Sequence, residues 1–207
     1  MKSVAFFKMA AAAALLLLLV GAVGYVSVGH LKRNARLIVQ DTLPGLAHGS
    51  AVSAELAQGF NDLMVFVLTE DSREREKRRQ AIDSTRQSIT EHLNIYERSI
   101  FDETQTPERR YFAALVEKRQ KCHEIRLEIM AAVDQQKRPD AISLFEREFQ
   151  PAYEAYREAA QALTEFNIRQ GEERGREILT VCTLTQVFVG FVGVFLFLAG
   201  FFMGLFR

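Results

Sequence analysis

The sequence predicts an all-α protein, an antiparallel up-down-up-down four-helix bundle with two transmembrane helices. Three observations carry that expectation. Ile178 to Phe206 is a run of 29 residues without a charge, and Met9 to Gly29 is a second uncharged run near the other end. A helix crosses a bilayer with about 20 apolar residues, so each run is long enough. The residues between them hold nearly all the charge, have few helix breakers, and place apolar side chains at spacings of three and four. The expected division is an N-terminus at 1–8, a first span at 9–29, a bundle domain at 30–177, a second span at 178–206, and Arg207 beyond it.

Lys2 and Lys8 precede the first apolar run, which is longer than the apolar region of a typical signal peptide. A retained anchor is therefore expected, with cleavage near Gly21–Gly24 as the alternative. Basic residues flank both sides of the spans: Lys32, Arg33 and Arg36 follow the first, and Arg169, Arg174 and Arg176 precede the second. The local count thus does not favour export, but a long domain is largely exempt from the positive-inside rule. Lys2 and Lys8 suit an inside N-terminus, so an exported bundle with both ends inside is expected.

The four bundle helices follow from their apolar rows. The first carries Leu56, Phe60, Leu63 and Val67; the second carries Ile82, Ile89, Leu93, Tyr96 and Ile100. The third carries Tyr111, Leu115, Cys122, Ile125, Ile129 and Ala132, with Lys118 interrupting the row. The last has a heptad stripe of Phe145, Phe149, Ala152, Tyr156, Ala159, Leu163 and Phe166. Each stripe is too narrow to stand alone, so the four bury one another. Breaks fall at Asp71–Ser72, where Asp71 with Glu74 matches a capping-box variant, at Asp102–Pro107, and at Lys137–Asp140. Connections this short make antiparallel neighbours. The outer helices, from about His30 to Thr69 and from about Pro139 to Glu177, are each roughly 60 Å long, the inner pair roughly 45 Å. The Asp102–Pro107 turn is then expected about 15 Å from the lipid. Pro44 and Pro151 each remove a helical hydrogen bond and predict kinks.

Little in the sequence points to catalysis or cofactors. Di-iron bundles need Glu-x-x-His, and the residues three before His30, His48, His92 and His123 are Ser27, Gly45, Ile89 and Gln120. Cys122-His123 lacks the first cysteine of a haem-attachment motif, and no nucleophile elbow is present. No metal, no cofactor and no enzymatic activity are expected. Lys and Arg total 26, as do Asp and Glu, so net charge gives no argument for nucleic acid. Cys122 and Cys182 lie too far apart in the layout for a bridge, and Cys122 reads as a small buried core residue.

Arg79 and Arg86 continue the register of Ile82 and Ile89 toward the distal end and are the candidate ligand-binding residues. Arginine there grips a carboxylate with paired hydrogen bonds, which suits a small anionic ligand; the bland alternative is a pair of edge residues whose methylenes cover apolar surface. The run Arg73–Arg79 reads as a solvated helix start. Gly200 and Gly204 form G-x-x-x-G in the second span, where close approach of another membrane helix is possible.

With its Lys-flanked first span, the continuous first helix holding Leu43-Pro44, the long outer helices, Pro151 in the last helix and the second span, the chain resembles the four-helix-bundle sensor domain of methyl-accepting chemotaxis proteins. The resemblance implies a two-pass protein of the bacterial inner membrane, with a periplasmic ligand-sensing bundle that dimerises through its helices. Such receptors continue into a HAMP linker and a cytoplasmic coiled coil, whereas this sequence stops at Arg207. The expected function is a chemoreceptor-like sensory module without its own output domain, passing its signal sideways to a second copy or another membrane protein. The alternative is a structural or regulatory membrane bundle that binds no small ligand.

Overall fold

The computed structural model describes the backbone of residues 2–100 and 106–205, and the surroundings of side chains at 7, 11–100 and 106–201. Helix α1 is Lys2–Leu37, followed by a π-helical turn at Ile38–Thr42 and by α2 at Leu43–Leu68. Helix α3 is Ser72–Ser99, and α4 is Pro107–Asp134. Helix α5, Arg138–Leu144, passes through a second π-turn at Phe145–Phe149 into α6, Gln150–Leu205. The chain divides into two units: residues 39–170, and residues 1–38 with 171–207. Of the expected Asp102–Pro107 connection, positions 102–105 lie outside the described residues.

The unit 39–170 is the antiparallel four-helix bundle. Its ends are capped by local chemistry. Asp71 accepts from the Arg73 N–H at 2.9 Å and opens α3. Glu74 does not close the box on the cap; its carboxylate is taken by Arg78 at 2.7 Å, because that guanidinium must also reach buried Asp62 at 2.9 Å. Arg78 is thus the exception within the otherwise charged start of α3, an ion-pair partner across to α2. Thr106 caps α4, with Pro107 at the first helical turn. The third break falls slightly earlier than expected. Lys137 N–H reaches Ala132 O and Gln136 N–H reaches Val133 O, the paired bonds of a Schellman motif, with Gln136 in the left-handed region at φ 61°.

Both prolines do distort their helices, and in the same way. Each π-turn ends two residues before the proline, at Thr42 before Pro44 and at Phe149 before Pro151. Proline offers no N–H and its ring crowds the carbonyl four residues back. Widening the preceding turn relieves the crowding, and Gln150 N–H bonds to Phe145 O, five residues back.

The predicted rows form the core: Leu56, Leu63 and Val67 on α2, Ile82, Ile89, Leu93 and Tyr96 on α3, and Leu115, Cys122, Ile125 and Ile129 on α4 are all buried. On α6 the row shifts. Phe149, Tyr156 and Leu163 are buried as expected, but Ala160 and Asn167 take the places expected of Ala159 and Phe166, which are only half-buried. A straight helix has 3.6 residues per turn, so a 3.5-residue stripe drifts by about 20° each heptad and the buried face moves one residue on. Gly45 and Gly49 of α2 lie close against side chains of α6. A Cβ on Gly45 would lie 2.6 Å from Asn167 Oδ1, and one on Gly49 would lie 3.0 Å from Thr164 Oγ1.

In the other unit, α1 and the C-terminal part of α6 run side by side and antiparallel. Ser27 and Thr185 hydroxyls meet at 2.8 Å, Asn34 donates to Glu177 at 2.9 Å, and Arg174 donates to Leu37 O at 3.2 Å. Large apolar side chains such as Leu18, Tyr25, Phe191 and Phe197 point outward all round, at 71%, 84%, 74% and 72% exposure. A helix apolar on every side is stable only in a core or in lipid, and both helices are long and apolar enough to cross a membrane. Thr180, Thr183 and Thr185 return their hydroxyls to carbonyls four residues back, which satisfies them without water.

Candidate functional site

All four bundle helices contribute to one interior cavity of about 40 Å³. Its apolar wall is built by Leu56, Phe60, Ile89 and Phe149, with Phe60 packed against the rings of Phe149 and Tyr153 at 6.1 and 4.4 Å. Its polar wall is built by Glu55, Arg119, His123, Arg126 and Tyr156. Arg119 and Arg126 are one heptad apart on α4, with Cys122 and His123 on the same face between them. Placing them on this face follows from helical spacing alone.

The electrostatics are unusual for a bundle interior. Arg126 donates to His123 Nδ1 at 2.7 Å, and Arg119 donates to Thr90 Oγ1. Neither guanidinium has a carboxylate within ion-pair distance among the described residues. Burial holds the Arg126 guanidinium below its usual value, with Arg86 and Arg119 adding to that shift. His123 is likewise pushed down, first by burial, then by Arg126, Arg86 and Arg119. Burial raises the Tyr156 phenol far above its ordinary range and the Cys122 thiol to about 11, so both are neutral. The Tyr156 hydroxyl and Glu55 Oε2 are buried without a hydrogen-bond partner among the described residues. Such orphans are costly unless something fills the space between them.

Glu55 joins the cavity to a histidine pair on the α2–α3 seam. Its Oε1 accepts from the Ser88 hydroxyl and lies 3.5 Å from His92 Nε2. His92 Nδ1 lies 2.9 Å from His48 Nδ1. Two facing nitrogens share one proton, so both rings cannot be doubly protonated in this arrangement. Elsewhere in the bundle, Asn167 donates to the Tyr96 hydroxyl at 2.6 Å and to Leu163 O at 3.0 Å, and Tyr96 donates to Glu108 at 2.7 Å.

The residues singled out in the sequence fall in different places. Arg86 is not among the residues that line the cavity, although its charge contributes to the lowering of Arg126 and His123, and it pairs with Asp83 at 3.7 Å. Arg79 stands apart: it bonds Asp134 at 2.5 Å and lies over the Phe66 ring at 5.1 Å, fastening α3 to the end of α4. Gly200 has open space around its Cα, and Gly204 lies outside the residues whose packing is described. Cys122 is buried and free, and Cys182 is free. No group of three or more His, Cys, Asp or Glu positioned to hold a metal occurs among the described residues. The sequence reading did not single out Arg119, Arg126 or Glu55 and took Tyr156 only as a core residue of the last helix, although the Arg119–Arg126 spacing around Cys122 was visible.

The class that the structure defines is an all-α protein, an antiparallel four-helix bundle with an interior cavity in a chain that also has two helices long and apolar enough to cross a membrane. The chain belongs to the four helix bundle sensory module family for signal transduction, whose model matches residues 6–181. A search of the curated proteins finds no match to this chain.

Proposed function

We propose that the protein is a membrane-anchored sensor of the chemoreceptor type, whose bundle takes up a small solute outside the bacterial inner membrane and carries out no catalysis. The cavity carries this reading, since a sensory bundle with two charged guanidiniums, an orphan hydroxyl and an orphan carboxylate oxygen inside it is built to hold something polar. Helix α6 contains both cavity residues and the apolar span, so a displacement of Tyr156 acts on the same helix that enters lipid. Thermal unfolding of the full chain in nanodiscs, with a panel of anionic, cationic and neutral solutes, tests the reading. A saturable rise in Tm with one class supports it. A Tm indifferent to every solute would favour a structural or regulatory bundle.

Its partner in the membrane is, in this reading, a second copy or another membrane protein packed on the face that carries Gly200. Gly200→Ile is expected to reduce crosslinking between spans several-fold while circular dichroism shows an unchanged bundle. Unchanged crosslinking removes this face as the contact. A reporter active only after export, inserted in the exposed Gln135–Lys137 turn, checks that the bundle is outside.

A further inference from the structure

We infer that the interior cavity binds one small planar monoanion, an oxyanion of the size of formate, acetate or nitrate, on Arg119, Arg126 and the Tyr156 hydroxyl. The inference rests on the sensory reading and supplies the class of solute. Size comes first. One water needs about 10–15 Å³ of such space, and the cavity offers about 40 Å³. It takes a solute of three or four heavy atoms and excludes amino acids and sugars.

Charge comes next. Arg119 and Arg126 bring two positive charges and Glu55 one negative. His123 accepts from Arg126 through Nδ1, so it is the neutral tautomer with its proton on Nε2. Arg86 stands nearby with Asp83 beside it, and those two offset each other. The cavity therefore carries one net positive charge, which one monoanion neutralises. Donor chemistry agrees. Each guanidinium has five N–H groups in a plane and spends only one hydrogen bond on the described residues, Arg119 on Thr90 and Arg126 on His123, leaving forks that match two coplanar oxygens. The Tyr156 hydroxyl supplies a further donor that nothing else in the described structure uses. This site differs from the one the sequence suggested: of Arg79 and Arg86, only Arg86 is near it, and as a neighbouring charge.

Glu55 gives the test a sign. Its carboxylate shares the cavity with the anion, so neutralising it strengthens anion binding, whereas removing a donor weakens it. The experiment is isothermal titration of the full chain in nanodiscs with sodium formate, acetate and nitrate, alongside ammonium chloride and glycerol. At least one monoanion is expected to bind one to one, with Arg126→Gln weakening it at least tenfold, Tyr156→Phe weakening it several-fold and Glu55→Gln tightening it several-fold. Should Arg126→Gln fail to fold, Tyr156→Phe decides, because it deletes only an unpartnered oxygen. Absence of binding by every monoanion overturns the site, as does equal affinity in wild type, Tyr156→Phe and Glu55→Gln. If ammonium or glycerol binds while no anion does, the anion site falls and the sensory reading stands; if no solute of any class acts, both fall.

Discussion

Asn167 has no accessible surface, and it fits only because Gly45 has no side chain. Its amide is held by Tyr96 and by the Leu163 carbonyl, so the side chain cannot swing away from a new methyl group without losing those bonds. Gly45→Ala is therefore expected to destabilise the bundle by about 1–3 kcal/mol, the usual cost of overpacking. Gly59→Ala is the internal control: its Cβ meets Thr85 Cγ2 at an ordinary 3.4 Å, and the gain in helix propensity is up to about 1 kcal/mol. Denaturant unfolding of both variants checks the contrast, and equal effects would show that Gly45 is not a contact glycine. The Gly45-x-x-x-Gly49 spacing is plain in the sequence, yet nothing there names Asn167 as the partner. A polar residue one step off the expected apolar stripe looks solvent-facing until the drift of a straight helix is taken into account.

Helix by helix, the apolar rows were legible because burial on a narrow face imposes spacings of three and four. Leu163 is buried and Glu158 is exposed on the same helix. Leu163→Ala is expected to cost about 2–5 kcal/mol and Glu158→Ala to stay within about 0.5 kcal/mol, measured by chemical denaturation; similar costs would mean the register is wrong. The π-turns were half legible: prolines predicted distortion, but whether a helix kinks or widens depends on the packing around it. The histidine pair was not legible at all, since His48 and His92 are 44 positions apart. It links α2 to α3 in a pH-dependent way. Burial, then the nearby His92, holds the His48 pKa below its ordinary value, so on acidification the unfolded chain takes up the proton before the folded one. Stability from this group is thus complete above about pH 6.5 and is lost as pH falls below it. His123 shifts in the same direction. The denaturant midpoint is expected to drop between about pH 7.5 and 5.5, and less so in His48→Gln; an equal drop in that variant would remove the pair as a cause.

At the scale of the whole molecule, the sequence announces two kinds of helix: a charged region whose helices bury one another, and two helices long and apolar enough to cross a membrane. The fold class was readable from that division and from the apolar rows, and the family from the pattern of spans, long outer helices, Leu43-Pro44 and Pro151. The site was not, because its lining is drawn from all four bundle helices and only packing brings Glu55, Arg119, Arg126 and Tyr156 together. The central claim is that filling this cavity changes what the membrane helices do. Joining residues 1–207 to the cytoplasmic signalling region of a methyl-accepting receptor, and following kinase output in cells as formate, acetate or nitrate is added outside, tests it directly. The account predicts a graded, saturable change in output that Tyr156→Phe shifts to higher concentration and Glu55→Gln to lower. Constant output from a membrane-inserted hybrid whose cavity is shown by titration to be filled would contradict it.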